Sequence, residues 1–199
     1  MGESTGSYIR FSVETSEEVF QDLAMDMVYA TQWLANQEGI DATRIGMFGG
    51  SQAGWIMPLA ASMEPPVKFM IIGEGVPVTA GEEAIHGSVG GDGVGWSRDR
   101  ILAADAALRE FDGAHGFDPG PILQELDVPT LWIFGLRDDV IPVVPSLERL
   151  AELIEGGKTN NHLHIFAYGD HNFRNSTTGE RYNVGDVAND WLIDIGVMN

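Results

Sequence analysis

Ile45-Gly46-Met47-Phe48-Gly49-Gly50-Ser51-Gln52-Ala53-Gly54-Trp55 is the stretch on which the reading of this chain turns. Arg44 to Phe48 is a short, mostly apolar run that ends at Gly49-Gly50, the pattern of a buried strand. Residues from about Gln52 to Met63 predict a helix that stops before Pro65-Pro66. A strand that passes at once into a helix holds its turn residue in a strained conformation, side chain outward. Small residues must then stand two positions to either side. Gly49 and Ala53 do so, although the strict nucleophile motif asks for glycine where Ala53 stands. The turn also puts Ser51 at a helix N-terminus, where unpaired N–H groups favour a developing oxyanion. The Gln52 N–H would be one donor. A plain N-cap serine would look similar locally, so the rest of the chain has to decide.

Upstream, Thr15 to Glu38 predicts a helix. Thr15 and Glu18 have capping-box spacing, Phe20, Leu23, Met27, Ala30 and Leu34 form the apolar stripe, and Gly39 is the stop. Downstream, Val67–Gly73, Thr130–Phe134 and His162–Ala167 read as strands, with helices over Pro145–Glu155 and Val184–Ile195. Strands alternating with helices, their apolar runs continuous, imply an α/β fold: a mostly parallel sheet with helices on both faces. Residues 76–122 interrupt the alternation. Gly87 to Gly95 holds five glycines in nine positions and predicts a mobile loop, followed by an amphipathic helix over Ser97–Phe111. This stretch reads as a short lid excursion within a single domain spanning 1–199.

Composition narrows the function. Thirty acidic and 11 basic residues give a net charge of −19, spread along the chain, and such a field repels phosphate backbones. Nucleic acid is therefore not an expected partner. No apolar run approaches the ~20 residues of a membrane span, and residues 1–6 do not read as a signal peptide. A cytoplasmic location is the expectation. The absence of cysteine excludes disulfides, thiolate metal sites and a cysteine nucleophile.

A nucleophilic serine needs a base, and there are five histidines. His171 follows the last strand, where sites in parallel sheets form. His162 and His164 lie within that strand and read as structural. His86 and His115 fall in the excursion, as solvated or lid residues. The acid should come from another strand end, and Gly135-Leu136-Arg137-Asp138-Asp139 offers either Asp138 or Asp139. The chain order Ser, Asp, His is the order found in α/β-hydrolases.

Gly49-Gly50-Ser51-Gln52-Ala53-Gly54-Trp55 resembles the Gly-His-Ser-Gln-Gly-Gly-Trp stretch of the α/β-hydrolase superfamily, near bacterial esterases and acylaminoacyl-peptidase-like hydrolases. Gly135 to Pro142 resembles its Gly-x-x-Asp-x-x-Val-Pro, a register that selects Asp138. Asp170-His171-Asn172-Phe173 resembles Asp-His-Gly-Phe at the base, and Phe117-Asp118-Pro119 resembles the return from the cap. The likeness covers most of the chain outside about 80–112. Met1 to Gly6 resembles the second part of a loop that, in the family, lies downstream of the first strands and of the second oxyanion donor. The resemblance thus implies an N-terminally reduced α/β-hydrolase sheet. The Arg44–Phe48 edge would then be open to a second copy of the chain, as a homo-oligomer, or covered by Tyr8–Val13.

What the resemblance implies is a serine esterase acting on a small-molecule ester, with Ser51 as nucleophile, His171 as base, Asp138 as its support and Gln52 in the oxyanion hole. It implies no cofactor and no metal. Trp55 and Trp96 are candidates for an apolar acyl pocket, or for plain core packing. Amide or peptide cleavage on the same residues is the alternative, as is a catalytically silent fold that serves as a binding or oligomerising module.

Overall fold

The structure is a computed structural model and describes residues 11–63 and 65–198. Four strands form one parallel sheet in the order β1 (Gly46–Gly50), β2 (Phe69–Gly73), β3 (Thr130–Gly135), β4 (Asn161–Phe166). Helices α1 (Ser16–Ala35), α2 (Ala53–Ser62), α3 (Ala80–Gly90), α4 (Arg98–Arg109), α5 (Gly120–Glu125), α6 (Val143–Glu155) and α7 (Val184–Asp194) lie before, between and after them. Alternation along each strand sorts the side chains to two faces. Met47, Met70, Ile72, Trp132 and Phe134 point into the larger core with α1, α2 and α6. Ile71, Leu131 and Ile133 point the other way, under Ala188 and Trp191 of α7. Helices therefore cover both faces, as the sequence predicts. Phe48 is paired in register with Ile71, yet stays 70% exposed.

Three local expectations are corrected. Thr15 is the N-cap of α1, but its side chain makes no capping bond; its Oγ1 instead accepts the Ser12 N–H at 2.9 Å. The start of α1 is held by Ser16, whose Oγ donates to the Val13 carbonyl and accepts the Phe117 N–H at 2.9 Å. The buried stripe of α1 runs through Phe20, Ala24, Val28 and Thr31, with Leu23 and Met27 half-buried beside it and Ala30 exposed. Small Ala24 packs fully into the interior, and the Thr31 hydroxyl is satisfied by donating to the Met27 and Val28 carbonyls.

The third correction is larger. Gly87–Gly90 is the last turn of α3, not loop. A capping box starts that helix: Thr79 Oγ1 accepts the Glu82 N–H at 3.2 Å, and Glu82 accepts the Thr79 N–H at 2.8 Å. Gly91, at φ +74°, ends it. Near the start of the helix, glycine serves close packing. A Cβ on Gly81 would lie 2.1 Å from the Ala114 carbonyl. His86 and Asp105 join α3 to α4 through a buried contact of 3.2 Å, so His86 is not a solvated residue. Of the proposed covering segment, Tyr8 to Arg10 lie outside the described residues, and Phe11 to Val13 form no strand. Phe11 instead packs edge-on against Phe20 and Trp55.

Candidate active site

Ser51 leaves β1 at φ +56°, a left-handed conformation that non-glycine residues rarely adopt. Its N–H donates to the Gly73 carbonyl at 2.9 Å, tying the turn to the end of β2. The need for small neighbours is visible directly: a Cβ on Gly49 would lie 2.7 Å from the Ala53 Cβ, and one on Gly50 would lie 2.9 Å from the Gly73 carbonyl. Gln52 is the N-cap of α2, and among the described residues its N–H donates to no backbone carbonyl. The Ser51 hydroxyl likewise makes no hydrogen bond among the described residues, to His171 included.

The loops after β3 and β4 are pressed together. Arg137 N–H donates to the Gly169 carbonyl at 2.8 Å, and Leu136 N–H to the Phe166 carbonyl at 3.0 Å. Gly135 permits this approach, since a Cβ there would lie 2.4 Å from the Gly169 carbonyl. The clamp sets Asp138 against His171, with Asp138 Oδ2 2.8 Å from His171 Nδ1. Asp138 is 2% exposed, and its Oδ1 accepts the Val140 and Ile141 N–H groups at 2.7 and 3.3 Å. Asp139 points elsewhere, accepting the Gly95 N–H from the excursion. Geometry thus separates the two aspartates that spacing alone leaves open. The His171 turn is shaped by Asp170, whose Oδ1 accepts the Asn172 and Arg174 N–H groups at 2.9 and 2.8 Å.

Burial acts to lower the His171 pKa. The Asp138 hydrogen bond and charge, with Asp92 and Asp139 further off, outweigh it and hold the imidazole above its usual value. Two acids that sequence reasoning missed stand close by. Glu83 on α3 is pushed up to about 7, chiefly by burial and then by the charge of Asp92. Glu74, just past β2, is pushed up to about 11 by burial and by the Asp138 carboxylate. The available signals were Glu74 standing between two glycines, and Thr79-x-x-Glu82 marking a helix start beside Glu83.

The tryptophans separate. Trp55 is core, its Nε1 donating to the Val78 carbonyl at 2.7 Å. Trp96 carries the Arg137 guanidinium 3.8 Å above its ring and lines a cavity of about 280 Å³ with Ile101, Leu136, Ile141 and Asp138. His162 packs against Trp191 and His164 against Phe166, while His115 Nδ1 lies 3.1 Å from Thr79 Oγ1. Among the described residues no cluster of three or more His, Asp or Glu side chains could hold a metal ion, and no helix is long and apolar enough to cross a membrane.

The sequence profile of the prolyl oligopeptidase family matches residues 9–192. This chain belongs to the prolyl oligopeptidase family. No curated protein sequence gives a significant match. Solved structures similar to this prolyl oligopeptidase-family chain include the acylaminoacyl peptidase of Pyrococcus horikoshii, at 20% identity and a TM-score of 0.52 over 74% of this chain and 23% of that one. Dipeptidyl peptidase 4 of Porphyromonas gingivalis aligns at 17% identity and a TM-score of 0.61, over 86% of this chain and 22% of that one. A Paenibacillus acetyl xylan esterase aligns at 17% identity and a TM-score of 0.54, over 87% and 52%. At such identities the likeness is one of fold, the α/β-hydrolase fold. The chain spans about a quarter of the length of the two peptidases.

Proposed function

We propose that this chain is a serine hydrolase that cleaves carboxylic esters through an acyl-enzyme. Ser51 Oγ attacks the carbonyl carbon, and His171 Nε2 takes its proton. The Gln52 N–H stabilises the oxyanion while Asp138 holds the imidazole and its positive charge. When the tetrahedral intermediate collapses, the leaving alkoxide receives that proton and the acyl group stays on Ser51. Water then repeats the sequence and releases the acid. The observation that carries this reading is the buried Asp138 carboxylate, 2.8 Å from His171 Nδ1, at the same end of the sheet as a serine at φ +56°. The lack of a Ser51–His171 hydrogen bond among the described residues is compatible with it, because catalytic hydrogen bonds often form only around substrate. The apolar cavity beside Asp138, lined by Trp96, Ile101, Leu136 and Ile141, supports an acyl group as the bound part.

Amide cleavage on the same residues is the second reading, favoured by the family match and by the two peptidases of like fold. A fluorophosphonate probe tests both readings against a silent fold. Labelling of the parent and not of Ser51→Ala is expected. An unlabelled parent would refute both enzymatic readings. Parallel assays with p-nitrophenyl acetate and an N-acetylaminoacyl p-nitroanilide then separate ester from amide, and faster turnover of the anilide would overturn the ester assignment.

A further inference from the structure

Glu74 is 2% exposed and directly follows β2, at φ +47° between Gly73 and Gly75. Its N–H donates to the Ile133 carbonyl at 2.8 Å, extending the β2–β3 ladder, so its backbone is pinned. A left-handed glutamate costs what a glycine there would not, and such strain persists where surrounding structure imposes it. Neither carboxyl oxygen has a hydrogen bond of good geometry among the described residues; the one donor that bears on it is the Gly135 backbone, whose influence is smaller than those of burial and of Asp138. The group beside it is the Asp138 carboxylate, and the next charge is Asp170 in the loop after β4; both are acids. Arg137, next to Asp138 in sequence, is stacked on Trp96 instead. Two ionised carboxylates in contact are acceptors only, with nothing to join them. One proton on Glu74 turns that contact into a hydrogen bond and removes an uncompensated buried charge. Asp138 is the acceptor of the pair, since it faces His171 Nδ1 on one oxygen and two backbone N–H groups on the other.

We propose that Glu74 is a positioning residue for the His171–Asp138 pair, its neutral carboxyl group donating a hydrogen bond to Asp138 and so setting the orientation and basicity of His171. This rests on the role given to those two residues above. A donor on Asp138 withdraws part of the negative charge that His171 feels. Without it the imidazolium is better stabilised, and the histidine titrates at higher pH.

Two measurements on the intact chain test this without requiring turnover. The first follows the His171 ring by NMR between pH 5 and 9 in the parent, in Glu74→Gln and in Glu74→Met. Glutamine keeps a donor at nearly the same volume; methionine fills the space and donates nothing. The Glu74→Met titration is expected to move up by roughly half a unit or more, with Glu74→Gln close to the parent. An unmoved titration in Glu74→Met, or the same movement in both variants, would overturn the proposal. The second holds even if Glu74→Met does not fold. Infrared difference spectra at pH 8 of parent minus Glu74→Gln are expected to contain the carbonyl stretch of a protonated carboxylic acid, and its absence would show Glu74 ionised and sink the idea. Fluorophosphonate labelling of the parent reports separately on the hydrolase reading, so the two failures can be told apart.

Discussion

Ser51, Asp138 and His171 carry the sharpest predictions. Ser51→Ala is expected to cut p-nitrophenyl ester turnover by at least ~10³-fold, leaving only what oxyanion donors and binding supply, with an unchanged circular dichroism spectrum. Activity within tenfold of the parent would remove Ser51 from the mechanism. Asp138→Asn should cost on the order of 10³–10⁴ in kcat, because the amide disturbs the tautomer and removes the charge that faces the imidazolium. Asp139→Asn should cost under about tenfold, since Asp139 binds the Gly95 N–H instead. Only neutral imidazole accepts the serine proton, and His171 is held above its usual value. The acid limb of kcat/KM should therefore lie above the ordinary histidine value of ~6.5 rather than on it. A limb at or below 6 would contradict the influence of Asp138. Glu74 has the opposite consequence for stability. Its proton is bound in the folded state and absent from the unfolded chain between the ordinary carboxyl value of 4.5 and about 11. Stability should thus fall as pH rises across that window. Urea midpoints measured from pH 6 to 9 should fall less steeply in Glu74→Gln.

At the scale of elements, the excursion is held by a buried polar joint. His86 on α3 and Asp105 on α4 meet at 3.2 Å with both side chains almost wholly enclosed. Replacing His86 with leucine leaves a buried carboxylate without its partner, a loss of about 3 kcal/mol by the usual behaviour of broken buried pairs. Amide exchange should accelerate across residues 80–109 before it does in the sheet. Uniform acceleration across both would mean that the helix pair is not a separate unit. Asp139 links this excursion to the loop that carries Asp138, by way of Gly95. Composition predicted a loose glycine-rich loop over 87–95. Glycine count measures freedom in an isolated chain. It does not register a capping box eight residues upstream, which starts a helix that runs on to Gly90.

The whole molecule presents two opposed features at its surface. The outer edge of β1 is unpaired among the described residues, with Phe48 70% exposed beside it. An open apolar edge seeks a partner strand, while a net charge of −19 repels a second copy. Association through β1 should therefore grow with salt, as screening shortens the repulsion. Light scattering at low micromolar protein is expected to show a dimer or larger species whose fraction rises as added NaCl shortens the Debye length from above to below about 10 Å. Phe48→Lys should return it towards monomer. A parent that stays monomeric throughout would mean that this edge is covered from within the chain.

Local pattern was enough for the parallel α/β architecture, for the strand-to-helix turn at Ser51 and for the position of His171 at a strand end. Each depends on neighbours within a few residues: alternation, small flanking side chains, glycine and proline stops. Asp138 over Asp139 was legible only through family resemblance, because two adjacent carboxylates have the same composition and nearly the same spacing. The fold distinguishes them by pressing Gly135 against Gly169, which turns one acid towards His171 and the other towards Gly95. Glu74 was beyond reach for the same reason. Its chemistry comes from burial beside a carboxylate 64 positions further along the chain, and only the packing of β2 against β3 brings the two together.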